Sequence, residues 1–119
     1  MNTITMYGIP NCDTIKKTLD WFKKHKVNIS FHDYKKEGVT KEKLTAWCKL
    51  KGWETLLNKK STTWRSLSAE EQSKITTQSA AIQLMKQQNS IIKRPVIEFD
   101  GKLLVGFDEA ALIKQFNRA

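Results

Sequence analysis

An α/β fold with one mixed sheet is predicted from three features of the chain. A strand–turn–helix–strand run opens it, a purely helical pattern fills the middle, and two apolar runs joined by Asp100-Gly101 lead into a last helix. At 119 residues the chain fits one domain with one core, because chains divide only well above this length. Ile4 and Met6 alternate with Thr3 and Thr5, as in a short strand ending near Tyr7. Gly8-Ile9-Pro10-Asn11 turns the chain. From Cys12 or Asp13 onward Ile15, Leu19 and Phe22 recur at helical spacing, with Asp13 at the start and Lys23 to Lys26 at the end complementing the helix dipole. Val27, Ile29 and Phe31 alternate through a second strand that reaches Tyr34. A βαβ unit of this kind normally carries two parallel strands.

The middle of the chain reads as helices. Thr40 suits an N-cap for a helix with Leu44, Trp47 and Cys48 on its apolar face, ended by Gly52; Trp53 to Leu57 forms a further turn. Ser68 and Glu71 have the spacing of a capping box, opening a helix through Ile75, Ile82 and Met85 that fades near Gln88-Asn89. After Pro95 come Val96-Ile97-Glu98-Phe99 and Lys102-Leu103-Leu104-Val105. The Asp-Gly pair between them is a strong hairpin signal, since both turn positions need positive φ. Asp108 caps a final helix carrying Ala111, Leu112 and Phe116. The order is thioredoxin-like: parts of about 1–36 and 91–119 share the sheet, and a helical insert of about 37–90 forms a subdomain.

Lys and Arg number 21 against 12 Asp and Glu, a formal charge of +9. The short basic runs Lys23-Lys24-His25-Lys26, Lys35-Lys36 and Lys59-Lys60 fall at expected helix ends or loops, so solvated surface accounts for them, and nucleic-acid binding ranks last among the readings. No apolar run reaches the ~20 residues of a membrane span. The first residues lack the basic start and apolar stretch of a signal peptide, so a cytoplasmic setting without membrane association is expected. The two cysteines, Cys12 and Cys48, form no Cys-x-x-Cys pair, and His25 and His32 do not cluster with them at zinc-ligand spacing. No metal is expected, and any chemistry rests on a single reduced thiol.

Cys12 falls at the turn after the first strand, the edge of an open α/β sheet where ligands bind. Orphan N–H groups and the positive end of the helix dipole favour a thiolate there, and Lys16 and Lys17 add charge. The other reading of this position is an inert cysteine packed as a small hydrophobe. Arg94-Pro95 opens the second half. A cis proline there brings its neighbours close to the helix start and aims Arg94 at Cys12, where a guanidinium suits an oxyanion or carboxylate; with a trans proline Arg94 is a surface residue. Cys48, with Leu44 and Trp47, reads as a core cysteine. His32 and Asp33 are adjacent on a strand, point to opposite faces, and read as structural.

Tyr7-Gly8-Ile9-Pro10-Asn11-Cys12-Asp13-Thr14-Ile15-Lys16-Lys17 resembles the N-terminal signature of the ArsC/Spx family, closest to its YffB-like subgroup. Phe31-His32-Asp33-Tyr34, Gly52-Trp53-Glu54, Leu56-Leu57-Asn58, Thr62-Thr63-Trp64-Arg65, Ile91-Ile92-Lys93-Arg94-Pro95 and Gly106-Phe107 extend the resemblance over essentially the whole chain. It implies a thioredoxin-like fold with a helical insert. It also implies an arsenate reductase-like oxidoreductase in which the residue matching Cys12 is the nucleophile, with no tightly bound cofactor. In the family's arsenate reductases the product is reduced through glutathione and glutaredoxin, and three arginines hold the oxyanion. Arg94 matches one of them, whereas Asn58 and Gly106 stand at the positions of the other two. Losing two guanidiniums, at roughly 1.5–3 kcal/mol for each charge-assisted bond, argues against efficient arsenate reduction. Arg65, Lys59 or Lys60 are the available substitutes.

The reading is therefore a thiol-dependent reductase with Cys12 as nucleophile and glutathione, with or without glutaredoxin, as its partner. Asn11, Lys16, Arg94 and Pro95 bind substrate, with Asn58 and Arg65 auxiliary. The alternative is an Spx-like regulator that binds RNA polymerase without catalysis. Ile15, three residues after Cys12, leaves no local Cys-x-x-Cys switch in that case.

Overall fold

The computed structural model describes residues 4–10 and 12–116. The chain divides into two compact units: residues up to Asp33 together with those from Arg94 onward, and Tyr34–Lys93.

The first unit is built on β1 (Ile4–Gly8), α1 (Asp13–Lys24), β2 (Ser30–Asp33), β3 (Val96–Phe99), β4 (Lys102–Val105) and α8 (Glu109–Phe116). The strands lie in the order β2-β1-β3-β4. β1 runs parallel to β2 with Tyr7 opposite His32, and antiparallel to β3 with Tyr7 opposite Val96. β3 and β4 form the expected hairpin, Phe99 opposite Lys102, and Asp100 and Gly101 take φ of 48° and 72°, the two positive values this turn demands. The arrangement is thioredoxin-like, as the element order predicts.

One sheet face carries Ile4, Met6, Phe31, Ile97, Phe99 and Leu104. These pack with Ile15, Trp21 and Phe22 of α1 and with Leu112 and Phe116 of α8 into the unit's core. Met6, Ile15 and Ile97 are wholly buried. α1 also buries Thr18, whose hydroxyl donates to the Thr14 carbonyl at 2.7 Å and so is not left unpartnered in the core. Gly8 sits where α1 crosses β1: a Cβ at that position would collide with the side chain of Ile15.

The second strand is shorter than its apolar alternation predicts. Val27 and Ile29 pack against the core, yet β2 starts only at Ser30 and Tyr34 begins a helical turn, α2 (Tyr34–Glu37). The reason lies at the end of α1. Lys26 takes φ 57°, its N–H donates to the Lys23 carbonyl and the Val27 N–H donates to the Phe22 carbonyl. That is a Schellman closure, which commits residues 25–27 to ending the helix.

The second unit contains α2, α3 (Lys41–Lys51), α4 (Trp53–Leu56), α5 (Thr62–Arg65), α6 (Ala69–Ser73), α7 (Gln78–Gln87) and a 3-10 turn at Asn89–Ile91. Thr40 caps α3 by accepting from the Lys43 N–H, and the helix ends at Gly52. Leu44, Trp47 and Cys48 form its buried face. Both bonds of the Ser68–Glu71 capping box are present. The helix predicted to run from Ser68 through Met85 is two helices, however, with Ile75 between them. Thr77 breaks the run because its hydroxyl accepts from the Ala80 N–H, which makes it the N-cap of α7. A β-branched residue that bonds its own backbone competes with helix continuation.

Candidate functional site

β1 ends at Gly8, the buried Ile9 and the exposed Pro10 follow, and Cys12 is the N-cap residue of α1 with φ −143° and ψ 130°. Asn11, an expected substrate contact, lies outside the described residues. The Cys12 carbonyl accepts from the Lys16 N–H at 3.0 Å, closing the first turn. Its side chain is half-buried against the core cluster and makes no capping hydrogen bond. Cys12 is thus a thiol on the rim of the core, neither sealed inside nor fully in solvent. Lys16 and Lys17 are exposed on the helix that Cys12 opens.

Arg94-Pro95 enters from the other half of the unit. The peptide bond between them is cis. Because Val96 is opposite Tyr7 in an antiparallel pair, the chain reaches Arg94 and Pro95 as it passes the end of β1, the edge from which α1 departs. Pro95 is buried and Arg94 half-buried. The Pro95 carbonyl accepts from the Gly106 N–H at 2.8 Å, so the segment after β4 is tied to this edge as well. Gly106 takes φ 86°, a backbone region that L side chains rarely adopt, so the position suits glycine and would strain an arginine.

Three parts of the chain far apart in sequence therefore converge on one edge: the Cys12 turn, Arg94-Pro95, and Gly106-Phe107. The convergence includes one contact that sequence reading missed. The Lys17 ammonium lies 4.7 Å from the centre of the Phe107 ring, a cation–π pair that joins α1 to the segment after β4. A second missed group sits on the sheet face opposite the core. There the Tyr7 hydroxyl donates to Glu98 at 3.1 Å and the Tyr7 ring lies 4.8 Å from that of His32. Strand alternation puts these residues on one face, but their partnership depends on the pairing of β1 with β3.

The auxiliary residues belong to the helical unit. The Asn58 side-chain oxygen accepts from the Lys60 N–H at 3.0 Å, folding the turn before α5, and Arg65 is exposed at the end of that helix. In the same turn the Lys59 ammonium lies 5.5 Å from the centre of the Trp64 ring. Cys48 is buried in this unit, and burial pushes its thiol above the ordinary cysteine range. Among the described residues there is no group of three or more His, Cys, Asp or Glu placed to hold a metal ion, and no helix is long and apolar enough to cross a membrane.

Three similarities place this arrangement. The YffB protein has a solved structure that superposes with a TM-score of 0.90 at 45% identity, covering 94% of this chain and 97% of that one. An arsenate reductase (ArsC) related protein from Brucella melitensis superposes at 0.77 with 46% identity, over 96% and 94% of the two chains. Regulatory protein MgsR of Bacillus subtilis is 25% identical over 93% of this chain and 88% of its own length. The ArsC family pattern matches residues 7–115, a span that takes in Cys12, Arg94-Pro95 and Gly106-Phe107, and the chain belongs to the ArsC family.

Proposed function

We propose that this protein is a glutathione-dependent thiol reductase that works through one nucleophilic cysteine, Cys12. The observation that carries the reading is the convergence of a half-buried thiol at the N-cap of α1 with Arg94-Pro95 on the same sheet edge. Unpaired N–H groups of the first helical turn and the positive end of the dipole favour negative charge at such a position. On a glutathione mixed disulfide, the Cys12 thiolate attacks the glutathione sulfur, the substrate thiolate leaves and takes up a proton, and Cys12 is left joined to glutathione. A second glutathione thiolate then attacks that glutathione sulfur, releasing glutathione disulfide and the Cys12 thiolate. The net reaction is a thiol–disulfide exchange: one incoming glutathione is oxidised for each substrate thiol released, and the glutathione already in the mixed disulfide leaves with it as glutathione disulfide. Cys48, buried and with its thiol pushed up by burial, is a poor resolving partner, so an external thiol fits the chemistry better.

Arg94 supplies a charge-assisted contact to a substrate carboxylate, and the Pro95 backbone flanks it. Lys16, one turn beyond Cys12, adds to the positive field. Arsenate is a weaker candidate substrate, since Asn58 is committed to its own turn and Gly106 takes a glycine conformation. Cys12→Ser should abolish turnover of a glutathione mixed disulfide while leaving the melting temperature within a few degrees; retained turnover would remove Cys12 from the mechanism. Arg94→Ala should raise KM several-fold with a smaller change in kcat, about 1–2 kcal/mol of lost binding, and unchanged constants would take Arg94 out of the site.

The similarity to a regulatory protein supports a second reading, a non-catalytic regulator, for which the resemblance to the Spx branch suggests RNA polymerase as partner. Co-purification with polymerase subunits that survives moderate salt, from cells carrying Cys12→Ser, would favour it, because binding alone does not need the thiol.

A further inference from the structure

We infer that Lys17, held in place by Phe107, is a specificity determinant of the Cys12 site, selecting small thiols and disulfides that carry a carboxylate close to the sulfur. The inference rests on the reductase reading and names its substrate class.

The Lys17 ammonium is 4.7 Å from the Phe107 ring centre, and among the described residues no carboxylate pairs with it. Phe107 is half-buried and packs against the same apolar cluster as Cys12, which limits the positions open to its ring. The preceding residue is anchored too, through the Gly106 N–H on the Pro95 carbonyl. A free lysine loses most of its rotamer freedom when it grips an anion, which cancels much of the contact's worth. Seated on a ring, Lys17 has lost part of that freedom in advance. An ammonium has three N–H donors and the ring face occupies only one side of it, so donors remain for a ligand.

The geometry suits a tripeptide thiol. Lys17 lies five residues beyond Cys12 on α1, roughly 7.5 Å further along the axis and about 140° around it, so the two Cα atoms are on the order of 9 Å apart and the long lysine side chain, leaning toward the helix start, spans the difference. The glycine carboxylate of glutathione reaches on the order of 7 Å from its sulfur when extended, and the carboxylate of the γ-linked glutamate about 9 Å. With the sulfur at Cys12, one carboxylate can meet Lys17 while Arg94 takes the other. A neutral disulfide of similar reactivity has nothing to offer either cation.

The test compares two disulfides. The Cys12 thiolate attacks one sulfur of oxidised glutathione or of bis(2-hydroxyethyl) disulfide, forming a mixed disulfide and expelling the other half as a thiolate; intact mass gives both rates. The quantity of interest is the ratio of the glutathione rate to the neutral rate. Lys17→Met, which keeps the stem and drops the charge, should lower that ratio roughly two- to five-fold, the range for an exposed ion pair. Phe107→Leu, which keeps apolar bulk, should lower it less and in the same direction. Lys24→Met removes one positive charge from the far end of α1 and should leave the ratio as it was. A ratio unmoved by Lys17→Met, or moved equally by Lys24→Met, overturns the inference while leaving the reductase reading in place. If unaltered protein forms neither mixed disulfide, the reductase reading fails and this inference falls with it.

Discussion

Cys12 and Cys48 are the same residue type in opposite environments. Cys48 lies on the inward face of α3, 5% exposed, and burial holds its thiol protonated above the usual range. Cys12 lies half-buried at a helix start. Under native conditions iodoacetamide should therefore add once, at Cys12, across the neutral and mildly alkaline range. Cys48 should react only on unfolding, because its thiolate is scarcer than that of an ordinary cysteine and its sulfur is shielded. Intact-mass measurement against pH checks this, and two adducts growing at comparable rates would refute it. The same mass series yields the apparent pKa of Cys12: a value well below ~8.5 supports nucleophilic attack, and a normal or raised one shifts weight to the partner-binding reading. Cys12 and Arg94-Pro95 were legible in the sequence because each is marked locally, by a helix start and by a proline opening a strand. The Lys17–Phe107 and Tyr7–Glu98 contacts were not, since each joins residues that only the folded sheet brings together.

The ends of elements carry their own energetics. Lys26 occupies the left-handed position of the Schellman closure of α1 with φ 57°, where an L side chain costs about 1–2 kcal/mol and glycine pays no such steric penalty. Offset by glycine's greater freedom in the unfolded chain, Lys26→Gly should stabilise the protein by about 0.5–1 kcal/mol. Urea titration of both proteins measures it, and a loss of stability would show that the Lys26 side chain contributes more than its backbone strain costs. This helix end also explains why alternation alone overstated β2. Val27 and Ile29 face the core as a strand's residues do, but the closure takes the N–H groups of Lys26 and Val27, and pairing starts only at Ser30. The Asp100-Gly101 hairpin shows the converse. Its turn chemistry is so restrictive that two residues sufficed to place both strands. Thr77 is hidden because Ile75, Ile82 and Met85 keep a helical rhythm across the break, and rhythm does not register a hydroxyl that accepts from an N–H three residues ahead.

In the sheet-bearing unit, core and site share one joint. Gly8 allows α1 to press onto β1 through Ile15, and Cys12 is the residue that turns the chain into α1. Gly8→Ala should cost about 1–3 kcal/mol by overpacking, because Ile15 is wholly buried and cannot yield freely. It should also alter the Cys12 alkylation rate, since relief of the clash displaces the helix start. Equilibrium unfolding with alkylation kinetics reads both, and a neutral substitution would mean that α1 rides loosely on the sheet. The order of strands and helices, the caps and the hairpin were all set by local rules: spacing, turn residues and hydrogen-bonding side chains act over a few positions and leave their mark in the chain. Which strands become neighbours, and hence that Cys12, Arg94-Pro95 and Phe107 share an edge, depends on the register of β1 against β3 and of β3 against β4. Register is chosen by the simultaneous burial of Met6, Ile15, Ile97 and Leu112, a cooperative outcome that no single segment specifies.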